Sequence, residues 1–151
     1  MIERWFRRVF HAVLWVWIGA WTFEARAAAR AQITLLTEVL QAKPGQSITA
    51  AIRIVPPVGW HTYWRLGGDS GMPTKVRWQL PEGISAGSIQ WPTPEKEITG
   101  DTVQLHTHVY SGEVLLLIPL SVGKDVVPGE YVLSADVQWQ EGERQCIQGR
   151  A

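Results

Sequence analysis

Cys146 is the single cysteine of this 151-residue chain and its most reactive side chain. A thiolate can attack a disulfide or ligate a soft metal, but one cysteine closes no bridge of its own. Read from the residues, it is either a buried and inert thiol or an exposed one able to capture a partner's sulfur. A second candidate is His106-Thr107-His108 together with His61. His-x-His on a strand projects two imidazoles to one face, a spacing that zinc or copper sites use. No Cys, Met or acid lies close in sequence to complete such a site, so surface histidines are the simpler reading. The third candidate is aromatic: Trp60, Tyr63 or Trp64 as a ligand-stacking face, or Trp60, Trp64 and Trp91 as a platform for a glycan. No paired carboxylates, phosphate loop or Ser/His/Asp spacing stands out.

The elements that must position these residues read as strands. Gly59 to Arg65 alternates, with Trp60, Thr62 and Trp64 on one face and His61, Tyr63 and Arg65 on the other, so that one face can enter a core. It runs into Leu66-Gly67-Gly68-Asp69-Ser70-Gly71, a turn in which the glycines supply backbone freedom and Asp69 and Ser70 can bond neighbouring amides. Before it, Gln32 to Leu40 and Ser47 to Val55 read as strands, and Pro56-Pro57 ends the second because proline donates no backbone hydrogen bond. After it come Lys75 to Leu80, with Val76, Trp78 and Leu80 inward, and Ala86 to Trp91. Glu95 to Asp101, polar and irregular, reads as a mobile surface loop. Val103 to Tyr110 alternates. Glu113 to Val122, apolar on both faces around Val114 to Ile118, suits the centre of a sheet. Tyr131 to Trp139 alternates again. About eight short strands with regular turn signals, and no capped amphipathic helix, predict an all-β, antiparallel sandwich.

The first 31 residues stand apart. Arg4, Arg7 and Arg8 precede an apolar run from Ala12 to Phe23, and small residues with Ala-x-Ala spacing follow, the order of a secretory signal peptide. Cleavage is expected after Ala31 (Ala29-Arg30-Ala31), with Ala27 (Ala25-Arg26-Ala27) as the alternative. About 12 apolar residues fall short of the roughly 20 that span a bilayer, so the membrane is met through this segment if it stays uncleaved. Five of the 14 basic and two of the 14 acidic residues lie in it, which leaves residues 32–151 with a net charge of −3 and no basic stripe. Nucleic acid is therefore not an expected partner. Export to an oxidising compartment, the periplasm, makes an unpaired cysteine unusual.

A set of motifs, in order, carries a likeness to a known family: Gly59-Trp60-His61-Thr62-Tyr63-Trp64-Arg65, Gly68-Asp69-Ser70-Gly71, Pro73-Thr74, Leu80-Pro81-Glu82-Gly83, Ile89-Gln90-Trp91-Pro92, Tyr110, Gly112-Glu113-Val114, Pro119-Leu120 and the run from Ala135 through Trp139 to Gln148. The chain from 32 to 151 resembles the N-terminal periplasmic domain of the DsbD and ScsB thiol:disulfide interchange proteins. The resemblance implies an immunoglobulin-like sandwich that, in full-length relatives, receives electrons from a membrane-embedded domain and reduces exported disulfide proteins, with no cofactor. The family's redox pair is Cys-x-x-x-Cys followed by Ile-Pro. Here the second cysteine falls on Cys146, followed by Ile147, while Gly142 stands in place of the first and Gln148 in place of the proline. Leu66-Gly67 replaces a common Asn-Pro. The sequence ends at Ala151, before any membrane domain, so a membrane-embedded donor is expected to be a separate chain. A truncated, redox-degenerate copy follows from the resemblance, with Cys146 as the surviving redox cysteine. The alternative is a non-catalytic exported module that binds a partner protein or a metal ion such as copper.

Overall fold

A computed structural model describes residues 31–143 and 145–151. The signal-like segment, with its arginines and the Ala25-Arg26-Ala27 site, lies outside the described residues. Ten strands form two antiparallel sheets. The first has the order β1-β2-β8-β5, with β1 (Gln32–Thr37), β2 (Ser47–Val55), β5 (Ile84–Ala86) and β8 (Val114–Val122). The second has the order β10-β9-β3-β7-β6, with β3 (His61–Gly68), β6 (Glu95–Thr99), β7 (Leu105–Tyr110), β9 (Ser134–Gly142) and β10 (Cys146–Arg150); β4 (Lys75–Gln79) pairs the start of β9.

The core lies between the sheets and is supplied by alternate residues. Ile48, Ala50, Ile52 and Ile54 of β2 and Val114, Leu116, Ile118 and Leu120 of β8 meet Tyr110, Val137 and Trp139 from the facing sheet. Val76, Trp78 and Leu80 pack partly buried against this cluster, on the inward face that their alternation predicts. Burying one such aliphatic side chain is worth about 1.5–3 kcal/mol, and period-2 placement puts every one of them on the same side.

Three sequence expectations change. The stretch Glu95 to Asp101 is not an irregular loop over its first five residues, because Glu95–Thr99 pairs with β7 as an edge strand. Ala86 to Trp91 holds little strand: β5 stops at Ala86, and a single bridge joins Gln90 to Leu117. β8 is central in its sheet as expected, yet its outward Leu115 and Leu117 are 39% and 37% exposed, so one face is buried rather than two.

The strict alternation of β8 makes a direct test. Leu116→Ala, which opens a cavity between the sheets, is expected to cost roughly 2–5 kcal/mol. Leu117→Ala, one residue further and outward, is expected to cost less than about 1 kcal/mol. Urea unfolding midpoints of the two variants check this, and equal shifts would mean the inward face is misassigned.

Candidate functional site

The lone cysteine opens β10 directly opposite the residue that closes β9, in the pair Cys146↔Gly142. Both residues face away from the core, because β9 turns Val137, Trp139 and Glu141 inward and therefore Gly142 outward. Cys146 is exposed. Its Sγ lies 3.2 Å from the hydroxyl of Tyr63, which reaches it from the outer face of β3. The same hydroxyl is 3.1 Å from Nε2 of His61, and the two rings meet edge to face with centroids 5.1 Å apart. Beyond His61, Oε2 of Glu97 on β6 lies 3.3 Å from Nδ1, an electrostatic contact without the alignment of a hydrogen bond. Four residues from three strands thus line up as Glu97, His61, Tyr63 and Cys146.

A tyrosine on an outer sheet face is ordinarily wet, but Tyr63 is 3% exposed. The glycine-rich turn after β3 covers it. Gly71, at φ +92°, lies so close that a Cβ there would sit 2.1 Å from the Tyr63 ring, and Gly68, at φ +89°, would collide with the carbonyl of His106. Asp69 fastens the turn to β7: its N–H donates to the His106 carbonyl at 2.9 Å, and its Oδ2 accepts from the His106 N–H at 2.8 Å. The sequence reading gave Asp69 a bond to its own neighbours; the structure gives it this cross-strand clamp instead. Burial, then the hydrogen bond and charge interaction with Cys146 and the charge of Glu97, push the Tyr63 phenol well above its usual range, with the Ser70 hydroxyl opposing. Tyr63 is therefore a proton donor at neutral pH rather than a phenolate.

This geometry can move a proton away from the sulfur. Either atom can donate in each of these two contacts; in one consistent arrangement the Cys146 S–H donates to the Tyr63 oxygen while the Tyr63 O–H donates to Nε2 of His61. If the thiol proton passes to Tyr63 and the Tyr63 proton passes to His61, a thiolate results that accepts a hydrogen bond from Tyr63. The imidazolium so formed stands beside the Glu97 carboxylate. Hydrogen bonds to a charged group are worth about 1.5–3 kcal/mol, less where water reaches the sulfur.

Other predicted residues do not join this cluster. His106 and His108 alternate with Thr107, and His108 packs its ring on Trp64, 5.6 Å away, toward the core, whereas His61 faces the other side of the sheet. Among the described residues no three His, Cys, Asp or Glu side chains gather at metal-binding spacing. Trp64 and Trp91 pack partly buried against the core, so they form no exposed stacking platform with Trp60. Glu97 escaped the sequence reading because it sits 36 positions from His61 in a polar stretch with no alternation; no local signal marks it.

The fold and the site define a β-sandwich domain that presents one thiol at the end of a strand pair. Residues 31–150 match the family described as thiol:disulfide interchange protein DsbD, N-terminal, and the chain belongs to that family. A crystal structure of the N-terminal periplasmic domain of ScsB from Proteus mirabilis is similar in fold, with a TM-score of 0.57 and 21% identity over 80% of this chain. The alignment spans 44% of that solved chain. No curated protein matches the chain.

The position opposite Cys146 brings a second sulfur within reach only if Tyr63 gives way. A Cβ built on Gly142 would lie 3.4 Å from Cys146 Sγ, within reach of a disulfide, but 2.7 Å from the Tyr63 hydroxyl and 3.2 Å from His61 Nε2. Gly142→Cys is expected to form an internal bridge with Cys146 on mild oxidation by displacing the Tyr63 hydroxyl. Thiol titration, native and unfolded, should find both thiols gone. Intermolecular dimers with no internal bridge would contradict the β9–β10 register.

Proposed function

We propose that this domain acts in the periplasm as a single-thiol partner in disulfide exchange, capturing exported thiol/disulfide proteins through Cys146 without resolving the captured bond itself. The observation that carries the reading is the exposed Cys146 sulfur held against Tyr63, with a glycine opposite it. The thiolate attacks one sulfur of a partner's disulfide. A new S–S bond joins the two chains, the partner's S–S bond breaks, and the partner's other sulfur leaves as a thiolate and takes up a proton. With Gly142 in place of the first family cysteine there is no internal thiol to attack the mixed bond. Release therefore needs a second thiol, from the partner or from a membrane-embedded donor. On this reading the domain is a redox-degenerate relative of the interchange proteins rather than a self-contained reductase.

Incubation with oxidised glutathione, followed by intact-mass measurement, tests this. One glutathione per chain is expected on the wild type and none on Cys146→Ser, with repeated disulfide reduction appearing once a free thiol is supplied. Turnover without added thiol, or labelling that requires unfolding, would overturn the proposal.

The Tyr63 donor has its own test. Tyr63→Phe removes the hydrogen bond to the thiolate and is expected to slow alkylation of Cys146 by iodoacetamide at pH 7 about three- to tenfold. His61→Ala should slow it in the same direction. An unchanged rate in Tyr63→Phe would remove Tyr63 from any chemical role.

A further inference from the structure

Glu141 is the one acidic side chain in the buried set, 0% exposed, one residue before Gly142 and on the opposite face of β9. Its Oε2 accepts two hydrogen bonds: from the indole N–H of Trp139 at 3.2 Å and from the backbone N–H of Ala31 at 2.8 Å. Ala31 also packs against the hydrophobic core. The family match begins at this residue, and β1 begins at the next. A carboxylate taken out of water is strongly disfavoured unless hydrogen-bond donors replace the solvent, so each donor on Glu141 matters.

Cleavage after Ala31 would remove one of them. The donor is the amide of Ala31 itself, and a mature chain starting at Gln32 does not contain it. A cut after Arg30 would keep Ala31 but places a large charged residue where the Ala-x-Ala pattern needs a small one. Two positions satisfy both demands: after Ala27, within Ala25-Arg26-Ala27, and after Ala29, within Ala27-Ala28-Ala29.

We propose that the exported chain is processed after Ala27 or Ala29, and that Ala31 stays in the mature protein as an amide donor to the buried Glu141 carboxylate. This moves the cleavage upstream of the site that sequence spacing favours, and it rests on the reading of residues 1 to about 30 as a signal peptide.

The test is the intact mass of the protein recovered from the periplasm of cells expressing the full chain. A mature chain beginning at Ala28 or Arg30 is expected. A start at Gln32 would overturn the inference and leave export standing, whereas an uncleaved chain would overturn the export reading itself. Hydrogen exchange at the Ala31 amide gives an independent readout on the same material: protection is expected in the wild type and at least a tenfold loss of it in Glu141→Ala. Exchange at the unprotected rate in the wild type would show that Ala31 plays no such part. Should Glu141→Ala not fold, chains starting at Ala28 and at Gln32 are compared, with a lower urea midpoint expected for the shorter one and equal midpoints counting against the proposal.

Discussion

The backbone of Gly71 lies on the ring of Tyr63, and the surroundings of the thiol depend on that contact. Tyr63 belongs to the outward face of its sheet, so the core does not hold it. What holds it is a turn that approaches closer than any Cβ permits, with Gly68 and Gly71 at positive φ and Asp69 bonded at both ends to the backbone of His106. Lift that turn and the phenol is free to swing into water. With the turn in place, the hydroxyl is fixed 3.1 Å from His61 and 3.2 Å from Cys146, and its proton is hard to remove.

The glycine opposite Cys146 and the tyrosine beside it form one geometric arrangement. A Cβ at position 142 and the Tyr63 hydroxyl compete for the same space, 2.7 Å apart. In a chain with cysteine at that position, a sulfur would be the nearest reactive neighbour of Cys146. Here the nearest neighbour is a hydroxyl with a proton to give. The first arrangement can give up two electrons by closing an S–S bond and regain them as a dithiol, whereas the second offers a lone sulfur only a hydrogen bond. Gly142 therefore leaves no vacant corner, because the Tyr63 hydroxyl fills the space beside Cys146.

Much of the fold was legible because burial on one face writes a period of two into the sequence. Ser47 to Val55 shows it most cleanly and forms the strand expected, whereas Glu113 to Val122 reads as a strand from an unbroken apolar run and alternates only in burial. Where no face is buried the signal fades. Glu95–Thr99 is an edge strand with one neighbour and mostly exposed residues, and Cys146–Arg150 carries a glycine at its fourth place; neither alternates in hydrophobicity. The error at Ala86 to Trp91 had the opposite origin, since apolar residues there pack on the core from extended chain with one ladder bridge. Of the site, Cys146 could be read from the sequence, and its pairing with position 142 followed from the family resemblance, whose Cys-x-x-x-Cys places Gly142 four residues before it. The link from Tyr63 through His61 to Glu97 could not, since it forms only when β3, β6 and β10 are brought to one face.

The register of β9 ties the two ends of this chemistry together. Trp139 and Glu141 point inward, where the indole and the Ala31 amide satisfy the carboxylate; Gln140 and Gly142 point outward, toward the turn and the thiol. A slip by one residue would exchange the two faces, exposing Trp139 and driving Gln140 into the core. The slip would also part the Glu141 carboxylate from the Ala31 N–H, a cost that adds to the hydrophobic burial of Val137 and Trp139. The position of the outward-facing glycine, and with it the space the Tyr63 hydroxyl fills beside Cys146, is thus set by what the other face of the same strand buries.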